Sequence, residues 1–229
     1  MLLKFRSALA IVVGLVAWFG IAATTDYLLV TNGFATGGVR YAILGAVELL
    51  LGGAAVLLAL RFGGFRLVDI GWTSNQARSD FLIGLAVAFA FAALQFFVII
   101  PATGGAARSD VAANAAQIGE APLDLSGILV LALLGSTSEE LLFRGLILGG
   151  IATIGGRTMM ARVIATIVTV ALFALSHGYQ GWAGIVDTGV YGGLLLSLLY
   201  WWRGARLIAP IAAHAGWNII AAIVIFIAY

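Results

Sequence analysis

The sequence predicts an all-α integral membrane protein, in which about seven transmembrane helices form a single bundle over residues 1–229. Of its 229 residues, 62% are hydrophobic and 10% are charged, and the mean hydropathy is +1.11. A chain with so few polar residues cannot coat the surface of a soluble globule. Its apolar runs are about 20 residues long and lack the alternation of barrel strands, which indicates helices that satisfy their own backbone hydrogen bonds in lipid.

The residue counts exclude several classes of site and partner. Cysteine is absent, which rules out disulfides, thiolate metal sites and a cysteine nucleophile. The net charge is only +2 and the arginines fall in short loops, so we expect no nucleic-acid partner. Thirty glycines are typical of helices that pack closely in lipid, because a small residue lets two backbones approach.

The first predicted helix follows Lys4 and Arg6 and extends from Ser7 to about Val30. A basic start and an apolar run would also fit a signal peptide, with a cleavage point near residues 22–23. Because the apolar character continues to Val30, we favour a retained helix that spans the membrane.

Six more apolar runs of membrane-spanning character follow. We expect them at residues 41–60, 81–100, 125–150, 161–176, 182–202 and 207–229. A loop at residues 31–38 separates the first two spans, and the polar segment 61–80 follows the second, with Trp72 as an interfacial anchor. The Ala/Gly-rich residues 102–124 are expected to form an extramembrane loop with a short surface helix, and this loop is the best candidate for a mobile lid. A break at residues 177–181 ends the fifth span.

The basic residues predict how the chain is oriented in the membrane. With the amino terminus in the cytoplasm, nine of the 12 lysines and arginines lie on the cytoplasmic side, and only Arg40 and Arg108 lie outside. The nine are Lys4, Arg6, Arg61, Arg66, Arg78, Arg157, Arg162, Arg203 and Arg206. We therefore expect a cytoplasmic amino terminus and an external carboxyl terminus. The compact, Ala/Gly-rich chain favours a prokaryotic cytoplasmic membrane.

The fourth apolar run contains three charged residues, Glu139, Glu140 and Arg144. One ionised side chain at mid-bilayer costs roughly 2.5–3.5 kcal/mol on insertion scales, so these residues must be paired, solvated in a cavity or used in function. Glu140 and Arg144 are four residues apart with the acid first, which is the favourable order for a helical ion pair. Glu139 points about 100° away around the helix and has no local cation. It is therefore the candidate general base that activates a water molecule.

The chain has two histidines, His177 and His214, and both fall in or beside apolar runs. His214 and Asn218 are four residues apart and share a helix face, as do Phe173 and His177. Counted at about 1.5 Å per residue, Glu139 and His214 fall near mid-membrane, and His177 falls about one turn nearer the outside. We nevertheless predict that these side chains converge on one site.

These residues resemble the type II CAAX prenyl endopeptidase family, also called the CPBP or Abi intramembrane proteases. The family pattern is E-E-x-x-x-R, then F-x-x-x-H, then H-x-x-x-N or D. The matching residues here are Glu139, Glu140, Arg144, Phe173, His177, His214 and Asn218. The resemblance covers residues 125–218, which we expect to form the core that carries the catalytic motifs.

The resemblance implies an intramembrane endopeptidase that hydrolyses a peptide bond in a membrane-associated peptide or lipid-modified protein. In this interpretation Glu139 activates a water, and the two histidines hold that water or polarise the peptide carbonyl. Asn218 would stabilise the oxyanion, and Glu140 and Arg144 complete the candidate catalytic set.

The need for a metal stays open. Two histidines and a carboxylate form a metalloprotease ligand set, so Glu139, His177 and His214 are candidate ligands of a divalent metal such as Zn²⁺. The H-E-x-x-H motif is absent, however, and the same residues are equally suited to holding water directly.

Two other functions also stay open. The glutamates and histidines are compatible with the proton relay of a transporter, and with a non-catalytic immunity or binding protein of the membrane. Glu48 in the second span and Asp187 in the sixth are further intramembrane acids to which the sequence assigns no role. The sequence predicts no oligomeric state.

Overall fold

A computed structural model describes residues 2–34 and 37–229, and these residues form eight helices of ten residues or more and no β-strand. The helices are α1 (Leu2–Thr31), α2 (Gly38–Gly63), α3 (Ala77–Ala102), α4 (Ser109–Ile118), α5 (Pro122–Ile154), α6 (Met159–Ser176), α7 (Gly178–Trp202) and α8 (Ile208–Ala228). All except α4 are long and apolar enough to cross a membrane, which confirms the predicted integral membrane protein with seven spans. Residues 1, 35 and 36 lie outside the described residues, so the predicted loop at 31–38 is described only in part.

The break after the fifth span is confirmed as a local turn. Helix α6 ends at Ser176, and a short 3₁₀ turn at Gly178–Gln180 opens α7, which therefore begins before the predicted residue 182. Gly181 has a φ of 74°, in the left-handed region that favours glycine. The chain thus reverses direction within five residues of His177.

The segment between α3 and α5 contains the predicted short helix, and one face of this helix packs on the bundle. Helix α4 is present, but Val111 and Ile118 are buried against the bundle. Arg108, at its start, is also buried and donates hydrogen bonds to Asp110 and Asp187. Burial opposes the charged form of Arg108, but these two hydrogen bonds raise its pKa above the ordinary value, so the guanidinium stays charged. The ion cluster and the apolar face together hold α4 on the bundle, and the proposal that residues 102–124 move as a lid stays a prediction.

The second half of α5 forms the centre of the bundle. Residues 140–150 are all buried, and Leu142, Leu146 and Ile147 have no exposed surface. A helix that is apolar on every side must be surrounded by other helices. The buried pair of charges in this helix is therefore enclosed by protein rather than by lipid.

Four of the spans contain a π-helical segment. The segments are Glu48–Gly52 in α2, Gln95–Ile99 in α3, Leu141–Gly149 in α5 and Gly184–Gly192 in α7. Such i→i+5 segments in α-helices occur frequently at functional sites. The segment of α5 begins directly after the two glutamates.

One end of the bundle collects the basic residues. Arg203 and Arg206 both form ion pairs with the buried Asp80, at 2.7 and 2.6 Å, and join the α7–α8 turn to the start of α3. Arg157 donates a hydrogen bond to the backbone oxygen of Asp69 at 2.6 Å, which attaches the α5–α6 turn to the same place. We call this the basic end; it comprises residues 2–7, 61–80, 155–162 and 203–207.

The opposite end of the bundle is joined by a separate set of contacts. The backbone nitrogen of Gly38 donates to Asp124 at 2.8 Å, which ties α2 to the start of α5. Gln180 donates to Asn114 at 3.0 Å, which ties the α6–α7 turn to α4. The opposite end comprises residues 26–34, 37–40, 100–124, 177–187 and 222–229.

Candidate active site

A buried cluster of charges joins α5 to α8. Arg144 donates to Glu140 Oε1 at 2.7 Å, as their spacing predicts, and His214 Nδ1 lies 2.8 Å from the same oxygen. Glu140 and Arg144 have no exposed surface, and His214 is only 1% exposed. An ionised carboxylate accepts but cannot donate, so Nδ1 of His214 carries the proton and its Nε2 keeps a free lone pair.

Arg144 has further contacts that compensate its burial. Its second terminal nitrogen donates to the Gly193 carbonyl at 3.0 Å, and its guanidinium carbon lies 4.5 Å from the centre of the Phe173 ring. Cation–π contacts of this kind favour arginine over an aromatic face. The pair is therefore held from α6 and α7 as well as from α5.

Glu139 is placed differently from its neighbour. Its Oε2 atom is buried and has no hydrogen-bond partner among the described residues. The same atom lies 3.9 Å from Nε2 of His214, and the side chain is 25% exposed. This carboxylate therefore borders open space on one side and the buried imidazole on the other.

His177 stands at the end of α6 with one ring nitrogen occupied. Its Nδ1 lies 2.8 Å from the Phe173 carbonyl oxygen, which can only accept, so Nδ1 is the donor and Nε2 is free. The Phe173 ring centre is 4.6 Å from that of His177 and 5.7 Å from that of His214. Phe173 thus contacts both imidazoles as well as Arg144, which gives a physical reason for an aromatic residue four positions before His177.

Asn218 lies on the same side of α8 as His214, one turn further on. Its Nδ2 donates to Ser136 Oγ at 2.9 Å. An amide nitrogen carries two N–H groups, so this bond leaves one of them for another acceptor. The sequence interpretation did not include Ser136, although it precedes Glu139 by three residues and therefore shares its helix face.

A cavity of about 650 Å³ is lined by three of the six predicted residues. Glu139, His177 and Asn218 line it, whereas His214, Glu140 and Arg144 lie behind its wall. The volume is within the range of pockets that take small-molecule ligands. The roles predicted for these six residues remain proposals.

The two unassigned acids have different surroundings. Glu48 is 7% exposed and lines the cavity, so it belongs to the space around Glu139, although the sequence alone favoured no role for it. Asp187 accepts a hydrogen bond from Arg108 and belongs to the cluster that holds α4. Neither acid has a local cation on its own helix, so spacing along the sequence could not separate the two cases.

The described side chains do not form a metal-binding group. Among residues 2–34 and 37–229, no three His, Asp or Glu side chains are arranged so that they could hold one metal ion. The hydrogen bonds of His177 and His214 through Nδ1 are no obstacle, since metal-ligating histidines are commonly held in this way. Glu139, however, lies within 4 Å of only one of the two imidazoles. The residues therefore do not fit the candidate ligand set, and we derive no reaction step through a metal.

A comparison with known protein families gives a match for the part of the chain that contains these residues. A family model described as type II CAAX prenyl endopeptidase Rce1-like matches residues 121–220. Residues 121–220, somewhat less than half of the chain, are therefore similar to the Rce1-like family. This Rce1-like segment comprises α5, α6, α7 and the first part of α8. The match confirms the family resemblance of the motifs. At the level of the family it supports a CAAX-type intramembrane protease, a hydrolase embedded in the membrane that acts on protein. Neither the curated proteins nor the solved structures compared with the chain gave a match.

Proposed function

We propose that this Rce1-like chain is an intramembrane endopeptidase of the CAAX prenyl protease type, and that Glu139 activates the attacking water. The observation that carries the proposal is the position of Glu139 Oε2, which is unpartnered at the wall of a cavity and 3.9 Å from His214 Nε2. A carboxylate in such a position can take a proton from a water in the cavity.

The proposed reaction has two steps. In the first, Glu139 accepts a proton from water while the water oxygen bonds to the carbonyl carbon of the peptide, and the carbonyl oxygen becomes an oxyanion. The free N–H of Asn218 donates to that oxyanion; one such donor contributes roughly 2.7–4 kcal/mol. In the second step the C–N bond breaks and the proton held by Glu139 passes to the leaving amine.

In this scheme the two histidines orient the attacking water and do not bind a metal. Nε2 of His214 and Nε2 of His177 keep free lone pairs because each Nδ1 donates within the protein. One of the two can therefore accept a hydrogen bond from the remaining O–H of the attacking water. Glu140 and Arg144 act through His214, because a fixed carboxylate partner sets the tautomer and orientation of an imidazole.

The first test is cleavage of a library of membrane-tethered reporter peptides by the purified protein in lipid. Glu139→Gln keeps the shape of the side chain but removes the base, and we expect the rate to fall by about 10²–10⁴-fold. The matched control is Glu120→Gln, since Glu120 is an exposed carboxylate that does not line the cavity. Full activity of the Glu139→Gln protein would contradict the proposal.

The same preparation distinguishes the alternatives. Inhibition by a chelator, reversed by Zn²⁺, would show a metal-dependent reaction instead of a directly held water. If no reporter is cut by folded protein, proton movement coupled to a solute would indicate a transporter. A protective phenotype that survives Glu139→Gln would indicate an immunity or binding protein.

The proposed location is a prokaryotic cytoplasmic membrane, with the amino terminus and the basic end in the cytoplasm. Short basic segments that flank apolar spans are retained on the cytoplasmic side. The proposed substrate is a peptide segment or a lipid-modified protein held at the membrane.

A further inference from the structure

The cavity occupies only one half of the bundle. Four stretches of the described chain contribute nothing to its wall: residues 2–17, 49–94, 144–175 and 189–216. These stretches contain every segment of the basic end. The cavity is therefore lined by the halves of the spans that lead to the opposite end.

The rim of the cavity is built at the opposite end. Tyr179, in the turn after α6, lines the cavity and is 60% exposed. Asn114 and Gln117 of α4 also line it and are partly exposed. The bond from Gln180 to Asn114 fixes these two parts of the rim to each other.

The two ends carry very different charge. The basic end has nine basic residues against two acidic ones, Asp69 and Asp80. The opposite end has five acidic residues and two basic ones. These are Asp26, Asp110, Glu120, Asp124 and Asp187, with Arg40 and Arg108. A chain with this asymmetry inserts with its basic turns in the cytoplasm.

From these observations we infer that the cavity opens toward the extracytoplasmic side, so that the protein cuts segments presented outside the cytoplasm. The statement about substrate rests on the proposed peptidase function. The substrate class is then a membrane-anchored or exported protein whose scissile segment has crossed the bilayer, and not a tail that stays in the cytoplasm. Glu139 would reach this segment through the outer half of the membrane.

The absence of cysteine makes the side of the cavity directly measurable. Ala116→Cys places one thiol on the exposed face of α4 at the opposite end, and Asn75→Cys places one at the exposed basic end. With a membrane-impermeant maleimide, we expect Ala116→Cys to be labelled in spheroplasts, and Asn75→Cys only in inverted membrane vesicles. The reverse pattern, or labelling of both thiols from both sides, would overturn the inference.

A second arm tests the substrate class. Two sets of tethered reporters carry the same peptide library, one facing the outside and one facing the cytoplasm. We expect cleavage of the outward set only, with its loss in the Glu139→Gln protein and its retention in Glu120→Gln. Cleavage of the cytoplasmic set would overturn the inference even if the peptidase function holds. If neither set is cut, the proposed function fails together with the substrate class, while the labelling still decides the side on which the cavity opens.

The same thiols test the route of entry. Gln117→Cys lines the cavity, so attachment of a bulky maleimide from outside should lower cleavage by the modified protein relative to the same protein before modification. Modification of Asn75→Cys in inverted vesicles should leave the rate unchanged. An equal loss in both variants would contradict entry at the opposite end.

Discussion

At the scale of single residues, the structure separates two adjacent glutamates by their partners. Glu140 is fully buried, and its Oε1 accepts from both Arg144 and His214 while its Oε2 has no partner. Glu139 also has a buried Oε2 without a partner, but this residue lines the cavity. The first carboxylate is paired with a cation behind the cavity wall, and the second is open to the cavity. One position along the helix is enough for this difference because successive side chains point about 100° apart.

The buried pair gives a prediction about stability. Arg144→Met removes one partner and leaves Glu140 buried without its cation. Breaking a buried ion pair in this way typically costs roughly 3–5 kcal/mol. We expect a clear fall in the midpoint of thermal unfolding in detergent. The control is Arg78→Met, because Arg78 is exposed at the basic end. Equal midpoints for the two variants would show that the pair contributes nothing.

At the scale of helices, close contacts between small residues set how the spans pack. A methyl group built on Gly127 of α5 would overlap the carbonyl oxygen of Gly38 in α2, and one built on Gly84 of α3 would overlap that of Ala209 in α8. The predicted use of glycine for close helix packing is confirmed at these two crossings. Because the obstacle is backbone, no change of rotamer would relieve it.

Substitution at one crossing tests this packing. Gly127→Ala should destabilise the protein by about 1–3 kcal/mol, the usual cost of overpacking. Gly20→Ala is the matched control, since no atom lies within 4 Å of a methyl group at that position of α1. The measurement is the midpoint of thermal unfolding of each variant in detergent. A Gly127→Ala protein as stable as the control would mean that α2 and α5 separate without cost.

At the scale of the whole molecule, the amino-terminal helices support the Rce1-like segment. Trp18 of α1 donates to Ser138 Oγ at 2.8 Å, and Ser138 donates to the backbone oxygen of Glu48 at 2.6 Å. Ser138, in the middle of this chain of bonds, directly precedes Glu139. Helices outside the matched residues 121–220 therefore fix the position of the proposed base.

Trp18→Phe tests this support, because it keeps an aromatic ring and removes the N–H donor. A base displaced by about 1 Å can cost as much as 10²-fold in rate, so we expect a lower kcat for reporter cleavage with a smaller change in KM. The unfolding midpoint should change little, since one hydrogen bond contributes about 0.5–1.5 kcal/mol. Trp72→Phe at the exposed basic end is the control. An unchanged kcat would show that Glu139 is held without help from α1.

The sequence by itself determined the seven spans and the pairing of Glu140 with Arg144, because both follow from apolar runs and from the spacing of residues along one helix. It also identified the Rce1-like motifs. Only the tertiary structure placed His214 beside Glu140 and joined Asn218 to Ser136, residues separated by 74 and 82 positions. The tertiary structure also decided how α4 packs on the bundle. It placed Glu48 in the wall of the cavity and left Asp187 out of that wall. Such contacts depend on how helices cross and on where π-helical segments rotate the faces of the helices. The residue pattern within a single helix therefore cannot predict them.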